Sequence, residues 1–174
     1  LKEALPGTVF QQFETLSLFT EGALPMPLAE LPDTFSQFRK QVEKTGHRYS
    51  EQMRIRTLTA LPPPPGFPED NRGECPPIPE PVHPLQFTGG EDAGLSRLRE
   101  FLFINHGIAR YKDTRNALDS WDASSKLSPW LANGCLSVRE VAESIAEYER
   151  RETSNESTYW LWFELLWREY FYWY

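Results

Sequence analysis

Histidine and cysteine are scarce, and their placement removes several kinds of chemistry: three histidines and two cysteines occur among 174 residues. Cys75 and Cys135 stand far apart, with no CxxC and no histidine cluster beside them, so neither a disulfide framework nor a zinc site is indicated. An intracellular, reducing compartment suits such cysteine usage. His47, His83 and His106 have no carboxylate or nucleophile at a recognisable spacing and read as structural or solvated. Positive charge is also short: 18 Lys and Arg against 25 Asp and Glu leave a formal net charge of -7. Gripping nucleic acid through counterion release needs many cations facing phosphates, so any DNA contact here must be local. Long apolar runs are missing too, because Glu164, Arg168 and Glu169 interrupt the most apolar stretch, and a transmembrane span is not expected. No initiator Met precedes Leu1 and no Gly, Asn or Pro stop signal precedes Tyr174, so the chain reads as an internal fragment whose targeting is illegible.

What is present is ordinary globular composition, 40% hydrophobic and 25% charged, unevenly distributed. Residues 1–31 mix short apolar runs with Gly7, Gly22, Pro25 and Pro27 and read as the tail of a preceding domain. Over 32–46, Asp33 is the expected N-cap of an amphipathic helix that places Phe35, Phe38 and Val42 on one face and ends near Gly46. Residues 47–86 hold ten of the fifteen prolines, among them Pro62 to Pro65, and form a linker in which helix is not expected. From 87 to 174 the pattern is helical throughout. Leu95, Leu98, Leu102 and Phe103 mark one helix stopping at Gly107; Ser137 with Glu140 opens a second through a capping box; a third begins near Asn155.

Two segments carry chemistry. In Ser124 to Gly134 (SSKLSPWLANG), Ser128 is the expected cap of a very short helix, Pro129 its first residue and Gly134 its stop. Two hydroxyls and an ammonium ahead of a helix start suit a phosphate, although spacing alone does not separate an anion site from an ordinary cap. In Trp160 to Tyr174 (WLWFELLWREYFYWY), Glu164, Trp167, Arg168 and Phe171 share a helical face. Either they form a binding patch, or Glu164 and Arg168 are an i,i+4 pair on a core helix. Trp130, Tyr148 and Phe163 read as core, and Trp121 and Asp122 have no assigned role.

Tyr111 with Thr114-Arg115-Asn116, then SSKLSPWLANGCLS (Ser124 to Ser137), then STYWLWFELLWREYF (Ser157 to Phe171), resemble the photolyase/cryptochrome family, especially its DASH branch. Leu31 to Phe35, the Pro-rich connector and Gly89-Gly90-Glu91 extend the resemblance over nearly the whole chain. It implies a mainly α fold, the first part of the helical FAD-binding domain of photolyases, preceded by a Pro-rich connector and the tail of an α/β antenna domain. By the same resemblance Tyr111, Ser124, Ser125, Lys126, Leu127 and Ser128 contact FAD, and Arg115 contacts DNA. Glu164 and Trp167 are the implied catalytic pair that meets a flipped pyrimidine dimer, with Arg168 and Glu169 continuing the DNA-facing stretch. A methenyltetrahydrofolate antenna pigment would sit in the α/β domain, and the electron-transfer tryptophans would lie beyond Tyr174, so this stretch alone is expected to be inactive.

The implied function is that of a flavin-dependent DNA photolyase of cryptochrome DASH type, a carbon-carbon lyase that repairs cyclobutane pyrimidine dimers, preferentially in single-stranded DNA. The partner is DNA, with no membrane. A blue-light photoreceptor of the same fold, signalling without repair, is the main alternative, and a flavin-free helical interaction module is a third.

Overall fold

Wherever apolar residues recur at helical spacing, the chain coils into helix, and no strand occurs among the described residues. The computed structural model describes residues 7, 9–10, 14–51, 87–118 and 120–174, so most of the Pro-rich linker expected over 47–86 lies outside the described residues, as do Cys75 and His83.

Helix α1, Phe35–Thr45, buries Phe35, Phe38 and Val42, the three positions that the spacing put on one face. Its cap is the extended Thr34, not Asp33, which stands one residue outside; Gly46 ends it in the left-handed region at φ 70°. Helix α2, Glu91–Arg99, runs into a π-helical turn, Glu100–Ile104, whose wider winding sets Phe101 and Leu102 fully into the core. The expected stop at Gly107 gives way to an earlier one. The turn is capped by Asn105, His106 takes φ 48°, and Gly107 opens a 3-10 turn, Gly107–Arg110. Gly107 matters for space, since a Cβ there would overlap the Phe101 ring.

Two short helices follow, α3 (Tyr111–Thr114) and α4 (Ser128–Ala132). Ser128 is the first residue of α4 and not its cap; Leu127 holds the cap position with helical dihedrals and no side-chain bond, while Pro129 sits in the first turn as expected. Helix α5, Val138–Arg151, starts at Ser137, whose hydroxyl accepts from the Arg139 N–H at 3.3 Å. That single cap bond replaces the expected box with Glu140. Helix α6, Glu156–Trp173, has the box instead: Thr158 N–H donates to Asn155 Oδ1 at 3.0 Å, and Asn155 N–H donates to Thr158 Oγ1 at 3.1 Å.

Helix α6 is the hub, packing on α1, α3 and α5. Its Leu161, Trp162, Leu165, Leu166 and Tyr170 are buried, each such side chain stabilising the fold by about 1.5–3 kcal/mol. Trp130 and Tyr148 are buried as expected, whereas Phe163 is half-buried. Leu18, Phe19 and Met26 join the same core as the helices. No helix among the described residues is long and apolar enough to cross a membrane.

Candidate functional site

Helix α3, the loop leading into α4, and α6 enclose an open cavity of about 450 Å³. Tyr111, Ser125, Leu127 and Ser128 line it from the first two elements; Glu164 and Arg168 line it from α6, with Leu131, Leu161 and Leu165 as apolar wall. Residues that stand far apart in sequence, drawn from both chemistry-bearing segments, thus face one space. The i,i+4 spacing of Glu164 and Arg168, one turn apart, brings both to this side of α6.

Tyr111 is 8% exposed. Burial, reinforced by the Glu164 carboxylate and opposed by Arg115, pushes its phenol up to about 12, so it stays a neutral hydroxyl donor at any physiological pH. Glu164 is ion-paired with Arg115 and not with Arg168, which excludes the i,i+4 pair as the bond that occupies it. The Arg115 guanidinium also lies over the Trp160 ring, 4.6 Å from its centroid. Arg168 donates instead to the Leu16 carbonyl at 2.8 Å, leaving its side chain at the cavity wall.

Trp167 does not line this cavity. Its indole stacks on Phe35, with centroids 3.7 Å apart and planes at 16°, and on the exposed Phe171 at 5.5 Å. Ser124 and Lys126 flank the lining residues; Lys126 takes φ 57° and makes no ion pair among the described residues. Glu169 does not face the cavity. Its carboxylate is fully buried, accepting from Leu18 N–H at 2.6 Å, Phe19 N–H at 3.1 Å and the Trp173 indole N–H at 2.6 Å. Helical periodicity accounts for this: Glu169 lies five residues after Glu164, about 140° round the helix, and so turns to the core.

Sequence reasoning missed Arg97. It sits on α2 among leucines, is 4% exposed, and holds the loop that contains Trp121, Asp122 and Ser124 to Ser125. The only signal available was an arginine inside an apolar helical pattern next to Leu98, which ordinarily reads as a solvated edge. His106 is exposed, its Nδ1 3.1 Å from the Tyr148 hydroxyl, and no cluster of His, Cys, Asp or Glu able to hold a metal occurs among the described residues.

No protein-family model matches the chain. Curated relatives do: a cryptochrome DASH of Idiomarina loihiensis is 44% identical over 177 residues, covering all of this chain and 37% of that protein. A cryptochrome DASH of Vibrio parahaemolyticus is 42% identical over 178 residues, with the same coverage. A crystal structure of a Synechocystis cryptochrome superposes with a TM-score of 0.70 at 37% identity, covering 92% of this chain and 34% of that one. The chain therefore spans a little over a third of the length of these curated relatives. With its helices, its paired segments and this similarity over its whole length, the chain belongs to the photolyase/cryptochrome family, in the helical part that DASH-type cryptochromes share.

Proposed function

We propose that the intact protein is a flavin-dependent DNA photolyase of cryptochrome DASH type, using light to split cyclobutane pyrimidine dimers, preferentially in single-stranded DNA. The observation that carries this reading is the shared cavity, where Tyr111, Ser125 and Ser128 from the cofactor-like segments meet Glu164 and Arg168 from the lesion-like segment. The donor set fits FAD. Neutral hydroxyls on Tyr111, Ser125 and Ser128 suit phosphate oxygens, and Leu127, Leu131, Leu161 and Leu165 offer apolar wall to flat rings, with Lys126 the cation adjoining Ser125 in sequence.

When bound, reduced FAD supplies the electron that light drives into the dimer and receives it back. The chain's own residues bind and orient. Glu164 is an acceptor for the N–H edge of an extruded base, Trp167 packs laterally against that base once its indole leaves the stack with Phe35 and Phe171, and Arg115 meets a flanking phosphate. Extrusion costs least in a strand that is already unpaired, which favours single-stranded substrate. The ion pair between Arg115 and Glu164 keeps both groups compensated until DNA arrives.

The test is blue-light-dependent repair of a thymine dimer in single-stranded and duplex oligonucleotides by the full-length protein. Repair of the single-stranded substrate is expected. Glu164→Ala should retain FAD while losing one charged hydrogen bond of about 1.5–3 kcal/mol, seen as about ten- to hundredfold weaker preference for dimer-containing over intact DNA. A flavin-loaded protein that repairs neither strand form would leave the light-sensing alternative in its place.

A further inference from the structure

The geometry points to Arg97 as the positioning residue that shapes the phosphate-facing run Ser124 to Ser128 from behind, an inference that rests on the flavin reading above. Arg97 lines no part of the cavity. All five of its N–H donors are nevertheless used, and four of the five bonds go to one short loop. Nε donates to the Ser125 carbonyl at 3.0 Å; Nη2 donates to the carbonyls of Trp121 at 3.2 Å and Ser124 at 3.1 Å; Nη1 donates to Asp122 Oδ1 at 3.0 Å and to Glu100 Oε2 at 2.9 Å. The guanidinium also lies 4.6 Å from the Trp121 ring centroid and 5.5 Å from that of Phe101, so it is fixed in plane as well as in position. Thr114 completes the grip by donating its hydroxyl to the Ala123 carbonyl at 2.7 Å.

Two consequences follow for a phosphate ligand. The carbonyls of residues 121, 123, 124 and 125 are all engaged with donors on the protein side, so their negative dipole ends are neutralised where they would otherwise repel an anion. The next residue, Lys126, is held at φ 57°, a left-handed conformation that side-chain-bearing residues adopt only where the surroundings over-determine it. Fixing the three carbonyls just before it supplies that constraint. Lysine cannot substitute, because an ammonium has three donors and no planar fork.

The experiment uses full-length protein stripped of flavin, wild type beside Arg97→Gln. FAD affinity is read by titration, and amide hydrogen exchange is followed in the flavin-free state. The expected result is FAD binding weakened about tenfold or more, with faster exchange confined to residues 121–127 and unchanged protection in α5 and α6. FAD affinity within twofold of wild type would overturn the inference, and so would weakened binding accompanied by an equal rise in exchange throughout α5 and α6, which marks a purely structural arginine. Should Arg97→Gln not fold, Arg97→Lys is read by the same two criteria. Wild-type protein that takes up no FAD would overturn the flavin reading and this inference with it, whereas wild-type uptake with unaltered variants overturns this inference alone.

Discussion

At Glu169 the cost of burying a carboxylate is set against three N–H donors. Burial is the larger effect and raises its pKa above the usual carboxylate range, while the bonds from Leu18, Phe19 and Trp173 and the charge of Arg168 pull the other way. Glu169→Ala would leave two backbone N–H groups and an indole N–H without their acceptor, and the expected loss is on the order of 3 kcal/mol, visible as a lower urea midpoint. The sign of the pH dependence follows from the raised pKa. Folded protein holds this proton more tightly than the unfolded chain, so the contribution is fully present below the unfolded pKa and is lost as pH rises through the folded one. Wild type should therefore lose stability relative to Glu169→Gln as pH climbs from the ordinary carboxylate range, a trend that paired urea titrations would detect; parallel curves would contradict it.

Among the helices, the junction of α2 with its π turn shows how one small residue sets a packing distance. Gly107→Ala would drive a methyl into the fully buried Phe101 ring. Overpacking of this kind costs about 1–3 kcal/mol, and calorimetry of the variant should show a lower Tm. The sequence had Gly107 as a helix stop because glycine commonly is one, and nothing local could reveal a ring arriving from six residues earlier. Long-period features were legible for the opposite reason. The burial of Phe35, Phe38 and Val42 and the start of α6 at Asn155 follow from helical spacing and its caps, whereas the meeting of Tyr111, Ser125 and Ser128 with Glu164 in one cavity appears only in the folded chain. Caps displaced by one residue at Thr34 and Leu127 depend on dihedrals that neighbouring segments decide. Arg97 was missed because a charged letter normally signals solvent, and the resemblance that set Glu169 in a DNA-facing stretch carried no information on the core donors that hold its carboxylate.

Over the whole molecule, a net charge of -7 makes the few cations near the cavity count individually. Under the proposed function, Arg115→Ala should reduce the slope of log affinity for DNA against log salt by about one, and should weaken intact and damaged DNA alike. An unchanged slope would remove Arg115 from the phosphate contacts. The buried bonds between the segment around Leu18 and α6 have a bearing on how the protein is made. Leu18 and Glu169 are separated by 151 positions, and Arg139 reaches the Ser17 carbonyl across 122. At about 5–20 residues per second a ribosome needs roughly 8–30 s to travel from one to the other. For that interval the buried N–H groups of Leu18 and Phe19 have been made while their acceptor is still untranslated, so this early stretch can close its long-range bonds only after α6 has been synthesised.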